Sequence, residues 1–256
     1  MTSENDNQPE MKIITINIET PDGKLPTAKV RIPNIPMRLA DLVPPMQQLC
    51  NGIVELANKR EIASGSAISC KKGCGVCCCQ LVPLSAPEAF FLYGYIKSLP
   101  EEKRKVIEEK ISEIRKAMDF AGIIERLHNI EDTNEHKVLA WDYFNLGISC
   151  LFLEDDSCGI HQIRPFACRE YNVTSPSELC VDPFNNDIKK IRVSRNMTTA
   201  IAYLTAELCS IKPMLIPMTL LLDWVEENKM IGRMTWAGVW LFERMLEFAT
   251  GDRLES

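Results

Sequence analysis

The sequence predicts a mainly α-helical protein built on a cysteine-rich metal-binding core, with a small β-hairpin near its N-terminal end. Three observations carry this expectation. Apolar residues recur at helical spacing through most of the chain after residue 36. One short stretch near the start alternates instead. Five of the eleven cysteines fall within ten residues, Cys70 to Cys79. The chain therefore divides into a tail and hairpin over residues 1–35 and a helical cysteine-cluster domain over 36–256, with its metal-binding region at 70–180.

Residues 1–10 (MTSENDNQPE) are polar and acidic and are expected to be a disordered tail. Lys12 to Glu19 alternates apolar and polar residues and is rich in β-branched types. Pro21-Asp22-Gly23-Lys24 supplies turn chemistry, and Ala28 to Ile32 is the expected return strand. A two-stranded hairpin is marginal in water, so this one must pack on something or pair with another chain. From Met37 to about Ile62 the spacing of Leu39, Leu42, Val43, Met46, Leu49, Cys50, Ile53, Val54, Leu56 and Ala57 is helical, with a break or kink expected near its start at Pro44 and Pro45.

Ser85-Ala86-Pro87-Glu88 reads as a capping box opening a helix that runs to about Lys97. Ser98-Leu99-Pro100-Glu101 repeats the signal. A long charged helix to about Ile130 follows, with Val106, Ile111, Ile114, Met118 and Ile124 on one side and its charges on a solvated face. Three more helices are expected at Thr198–Ile211, Met218–Lys229 and Met230–Phe248, the last with Trp236, Trp240 and Phe242 as a core stripe. Lys189 to Arg195 alternates basic and apolar residues and reads as an exposed edge strand. Neither an internal repeat nor a βαβ alternation is visible.

Two lysines and two glycines lie among the first five cysteines, so this stretch would make a poor apolar strand or helix. Gly73 and Gly75 let the backbone turn, so that several thiols can converge, and a soft metal is the simplest reason for them to do so. A second set follows at Cys150, Cys158 and Cys168, with His161 three residues after Cys158. The formal charge of −6 argues against a nucleic-acid partner. With neither a secretory leader nor a membrane span in sight, the expected place is the cytoplasm, where thiols stay reduced and clustered cysteines point to metal before disulfides. Cys50 and Cys209 each sit alone on an apolar helical face and are expected in the core. Cys180, in a loop near Pro183, is a candidate additional ligand. His128 and His136 are expected at the surface.

The pattern C-x3-C-x2-C-C followed by C-x7-C-x-I-H-x-x-R-P-x-x-C-R is carried by Cys70, Cys74, Cys77 and Cys78, then Cys150, Cys158, Ile160, His161, Arg164, Pro165, Cys168 and Arg169. It resembles the zinc- or iron-chelating cysteine-cluster family (the CxxCxxCC or YkgJ-type proteins) from Cys70 to Tyr171. The chain departs from the family by having His161 where Tyr is commoner, and by adding Cys79; both residues join Cys180 as candidate additional ligands. The cysteine region is also similar to that of flagellin lysine N-methylases. That likeness implies an iron–sulfur cofactor, a four-iron cluster (4Fe–4S) first, and a protein partner whose lysine is methylated. Zinc or mononuclear iron is the alternative.

Seven matched cysteines exceed the four ligands of one tetrahedral zinc or one four-iron cluster, so two centres form, or some thiolates bridge, or some stand outside the centre. Adjacent Cys77 and Cys78 point in different directions along most backbones. Cys70, Cys74 and Cys77 with one of the distant set are the leading expectation for a first centre. Arg164 and Arg169 would sit beside its negative charge, to stabilise it or to hold an anionic ligand. Otherwise they would form surface ion pairs with Glu154, Asp155 or Glu170.

Three functional readings follow. The first is an iron–sulfur or zinc protein whose centre supports redox or protein-methylation chemistry. The second is a radical S-adenosylmethionine enzyme, which shares the C-x3-C-x2-C spacing. Against it, Val76 stands where those enzymes usually carry an aromatic residue, and capped helices follow instead of a βα barrel. The third is a structural zinc-binding interaction module without catalysis. H-E-x-x-H, G-x-S-x-G and G-x-x-x-x-G-K-[ST] motifs do not occur.

Overall fold

Alternation near the start of the chain produces the expected hairpin. The structure, a computed structural model, describes residues 9–129 and 133–251, so most of the expected tail lies outside the described residues. Four strands build the ribbon: β1 (Met11–Ile16), β2 (Glu19–Thr20), β3 (Gly23–Lys24) and β4 (Ala28–Pro33). β1 pairs antiparallel with β4, placing Ile14 opposite Val30, and β2 pairs with β3 at the tip. One face of the ribbon buries Ile18 and Ile32 in a core that also holds residues from the middle and the end of the chain. That packing supplies what an isolated hairpin lacks. A two-residue strand, β5 (Pro36–Met37), follows.

Leu39–Leu42 forms a 3-10 turn that leads directly into α1 (Val43–Ala63). The break expected near Pro44 and Pro45 is this change from 3-10 turn to α-helix, and it falls just before the prolines. They occupy the first turn of α1, where a missing N–H has no intrahelical partner to lose. The buried face of α1 carries Val43, Met46, Cys50, Ile53, Val54 and Ala57. After the cysteine loop come β6 (Pro83–Leu84) and α2 (Ala86–Ser98), the latter opened by the predicted capping box.

α3 (Glu101–Phe120) begins without a side-chain cap. Ser98 instead closes α2, its hydroxyl donating to the Tyr95 carbonyl at 2.7 Å. The expected single helix to Ile130 is two helices: the chain turns at Ala121–Gly122, with Gly122 at φ +67°, and resumes as α4 (Ile123–Asn129). Ile130 itself lies outside the described residues. Ile111, Ile114 and Met118 are buried as predicted, whereas Val106 is exposed. α5 (Thr133–Asn145), which the periodicity did not reveal, packs Leu139 and Tyr143 against Met118 and Ile123.

The second cysteine stretch contains β7 (Leu153–Glu154), β8 (Ser157–Cys158) and α6 (Phe166–Glu170). Residues 189–195 form no strand; Lys190 makes a single antiparallel bridge to Val173. The last elements are α7 (Met197–Cys209), β9 (Ile216–Pro217), α8 (Leu221–Glu227), α9 (Lys229–Arg233), β10 (Trp236–Ala237) and α10 (Gly238–Thr250). The expected helix Met218–Lys229 is a 3-10 turn followed by α8. Met230–Phe248 is interrupted by β10, which pairs with β5. A Cβ on Gly238 would lie 2.8 Å from the Pro33 carbonyl oxygen, so backbone packs on backbone at that break. Of the predicted aromatic stripe, Phe242 is buried, Trp236 is partly buried and Trp240 is exposed.

A first apolar cluster joins the hairpin, α1, α7 and α10. A second joins α2 and α8 to Leu151, Phe152 and Ile160, with Cys150 and Cys158 packed on its edge. The second cysteine stretch is thus held on the second cluster, while Phe166 of α6 reaches into the first. Among the described residues, no helix is long and apolar enough to cross a membrane.

Candidate metal centre

The first cysteine stretch is a run of turns outside any helix or strand. Cys74 N–H donates to Lys71 O at 3.1 Å, Cys78 N–H to Gly75 O at 2.9 Å and Gln80 N–H to Cys77 O at 3.3 Å. Gly73 sits at φ +88°, a region that favours glycine. Gly75 has a different reason to be glycine. A Cβ there would meet the Asp156 carbonyl oxygen at 2.5 Å and the Leu153 side chain at 2.7 Å. The loop is pressed against the β7–β8 turn.

That turn is a two-residue connection with Asp155 at φ 45° and Asp156 at φ 59°, the geometry that matches the twist of a tight hairpin. Two backbone hydrogen bonds then tie the stretches together: Cys150 N–H donates to Cys78 O at 2.6 Å, and Ser69 N–H to Val173 O at 3.0 Å. The folding of the second stretch therefore positions the first.

Cys168 sits on α6, which buried polar side chains brace from several sides. The Glu88 carboxylate that closes the cap of α2, accepting from Ser85 N–H and its hydroxyl, also accepts from Phe166 N–H at 2.7 Å. Glu170 accepts from Met197 N–H and from the Asn196 amide. Burial pushes both carboxyls up to about 7. Arg169 is buried; its guanidinium donates to Arg164 O and Asn51 Oδ1, each at 2.8 Å, and to Gln162 O. Gln47 adds donors to Ile163 O and Arg164 O. Arg169 thus pins the 162–164 backbone from inside.

Cys77 is the electrostatic hub of the site. The thiols of Cys70, Cys79, Cys150, Cys158, Cys168 and Cys180 all feel it. Cys74 acts on Cys70 and Cys180, and Cys78 acts on Cys77 through a hydrogen bond between the two side chains. Thiols of both stretches, with Cys79 and Cys180, thus lie within electrostatic reach of Cys77 and make up the Cys77 neighbourhood. His161 stands differently: burial and the charges of Arg164, Lys72 and Arg169 depress its pKa, keeping the imidazole neutral at pH 7. Cys50 is buried in the first core cluster and Cys209 is packed against it. His136 is exposed, while the His128 side chain lies outside what is described.

The donor chemistry fits a soft metal. Every cysteine of the chain is a free thiol. Burial raises the pKa of Cys70 and Cys158, pushes Cys150 up to about 11 and drives Cys168 far higher. For Cys77 the hydrogen bond with Cys78 comes first and burial second. Neighbouring thiols add to these shifts, since their charges would repel. The Arg164 cation opposes the shift at Cys70, Cys77, Cys158 and Cys168. Such thiols stay protonated at pH 7 and make poor nucleophiles. A bound cation reverses the balance, because a coordinating thiol is deprotonated outright.

Three buried polar atoms in this region, Gln80 Nε2, Arg164 Nε and Tyr171 Oη, have no hydrogen-bond partner. Each orphaned group costs about 1–3 kcal/mol unless something supplies an acceptor. Among the described residues, no three His, Cys, Asp or Glu side chains close on a single point. Ligation of one ion therefore requires thiols of the Cys77 neighbourhood to rotate inward.

A cavity of about 390 Å³ between α3 and residues 148–153 reaches Cys150, with Lys110 and Glu113 on its wall. Lys110 holds the Cys150 pKa down against its burial. Sequence reasoning missed Glu88, Gln80, Tyr171 and Lys110 as parts of the site. Only Gln80, directly after Cys79, and Tyr171, three residues after Cys168, carried even a positional hint.

No curated protein and no solved structure matches the chain. The CxxCxxCC family model, described as "Putative zinc- or iron-chelating domain", matches residues 69–198, half of the chain and all of the cysteine neighbourhood built above. The chain belongs to the CxxCxxCC family.

Proposed function

We propose that the chain holds an iron–sulfur centre at the Cys77 neighbourhood and that this centre, a four-iron cluster, serves redox chemistry. The single observation that carries the reading is the gathering of two sequence-distant cysteine sets around Cys77, in thiol form and joined by the Cys150–Cys78 backbone hydrogen bond. Cys77 with Cys70, Cys158 and Cys168 would supply the thiolates. Cys74, Cys78 and Cys150 would then be left to replace one of them or to complete a second centre. One zinc and one four-iron cluster each use four thiolates, and it is the likeness of the cysteine region to that of flagellin lysine N-methylases that favours the cluster. Bound there, the centre would supply one-electron transfer. The protein's own contribution is the half-buried, Arg164-compensated set of thiols and the Cys150 cavity, through which small molecules would reach the centre.

Anaerobic purification followed by metal analysis, acid-labile sulfide analysis and a visible spectrum tests the reading. Iron with matching sulfide and absorbance near 400 nm is the expected result. Zinc without sulfide, in colourless protein that survives air, would replace redox chemistry with a purely structural role. Well-folded protein with neither metal would overturn the site.

A further inference from the structure

Two side chains that no motif singled out stand at the junction of the cysteine stretches. Gln80 closes the first stretch, its N–H held by Cys77 O at 3.3 Å. Tyr171 closes α6, its N–H held by Ala167 O at 3.1 Å, and its carbonyl oxygen lies 4.0 Å from Cys70 Sγ. Lys190 Nζ packs 4.7 Å from the centroid of the Tyr171 ring and helps fix its plane. Gln80 Nε2 and Tyr171 Oη are both buried and both lack a partner. The Gln80 amide nonetheless opposes the rise that burial imposes on the Tyr171 pKa. The Tyr171 hydroxyl also feels Cys180, Cys77 and Cys70.

Two buried donors at the seam of a thiol cluster need acceptors, and a neutral thiol is a weak one. A metal-bound thiolate is a strong one, because hydrogen bonds to charged groups are about twice as strong as neutral pairs. We propose that Tyr171 is a positioning residue of the metal centre: its hydroxyl donates to a thiolate of the Cys70–Cys77 pair, and the Gln80 amide, donating to the Tyr171 oxygen, holds it in place. This rests on the metal-binding reading above. It adds an ordered pair of donors, Gln80 to Tyr171 to sulfur, that belongs to this chain's own geometry.

The test uses the full chain loaded with Co²⁺ under anaerobic conditions, as wild type, Tyr171→Phe, Gln80→Leu and the double variant. Two quantities are read: the rate at which EDTA strips the metal, and the energy of the thiolate-to-cobalt charge-transfer band. Removing one outer hydrogen bond to a ligand is expected to speed stripping about tenfold in Tyr171→Phe. The band should move to longer wavelength as the thiolate loses its donor. Gln80→Leu should show a smaller change in the same direction, and the double variant should match Tyr171→Phe.

A wild-type band and stripping rate in Tyr171→Phe would overturn the inference. So would a lowered Tm of the metal-free variant with an unmoved band, the mark of a purely structural side chain. A Gln80→Leu effect that persists undiminished in the Tyr171→Phe background would overturn the relay. Failure of the wild type to bind cobalt, zinc or iron at all would instead overturn the metal-binding reading beneath it.

Discussion

The two cysteine stretches reach the same neighbourhood by opposite means. The first, Cys70 to Cys79, is a series of turns held by local backbone hydrogen bonds and by contact with the β7–β8 turn. The second is built from a tight hairpin, a 3-10 turn and α6, and buried Glu88, Arg169 and Glu170 hold it in place. One half of the site is fixed by the fold before any ion arrives. The other is shaped by what it leans on, the β7–β8 turn and the Cys150 N–H.

The largest effect should come from removing a ligand on either side. Cys70→Ser and Cys158→Ser are each expected to lose most bound metal, well beyond the roughly 10–100-fold penalty of losing an outer partner. Metal-to-protein ratios after desalting check this, and unchanged content in both variants would show that the two stretches do not share a centre.

Glu88→Ala separates the stretches by stability. It strands three donors that now converge on one buried carboxylate, so a loss of about 3 kcal/mol in urea unfolding is expected. Lys71→Ala in the exposed first loop should stay within about 0.5 kcal/mol.

Proton linkage sharpens the same contrast. Glu88 and Glu170 have folded-state values near 7, above the ordinary 4.5 of the unfolded chain. Between those values the folded protein keeps protons that the unfolded chain has released. Stability of the metal-free protein should therefore fall as pH rises through 4.5 to 7, by up to about 3 kcal/mol for each group, and level off above. Glu88→Gln should flatten about half of that slope. Urea midpoints that rise across the same interval would contradict it.

Gly75→Ala is expected to cost about 1–3 kcal/mol by forcing the first loop away from the Asp156 carbonyl, with a matching drop in metal affinity by competition with a chelator. Smallest of all, Cys209→Ala should leave metal content unchanged and shift stability by under about 1 kcal/mol, since that thiol only packs against the first core cluster.

Much of this fold can be read from local signals. Ser85 and Glu88 announce α2, the alternation at Lys12–Glu19 announces the hairpin, and the buried face of α1 follows its apolar spacing. Readings failed where a long-range or backbone cause decided the outcome. The charge pattern of α3 runs past Gly122 without a change in periodicity, so only the positive φ marks the break. The chain stops being helical before Gly238 because Pro33 and Ile35 present carbonyls there from across the molecule. Pro44 and Pro45 were legible as a break but not as the first turn of α1, because the preceding 3-10 turn has no signature of its own.

The ligand types of the site were legible because thiols crowded this closely among lysines and glycines neither pack as a core nor, when reduced, gain much without a metal. The supports were not. The Glu88 contact with Phe166 spans 78 residues, and the unpartnered donors Gln80 and Tyr171 lie on two separate stretches. A single sequence records neither.

The pairing of β5 with β10 and the shared core of the hairpin with α10 carry a consequence for how the molecule is made. On a ribosome, Ile18 and Ile32 emerge early, while Leu241, Phe242 and Met245, which complete their cluster, emerge more than two hundred residues later. Until then the hairpin's apolar face is covered only in part, by α1 and then α7. The cysteine stretches are already out by that stage, so their thiols are exposed to metal and oxidant before the core beneath Phe166 is closed. A chaperone or an early-docked metal would find its opening in that interval of synthesis.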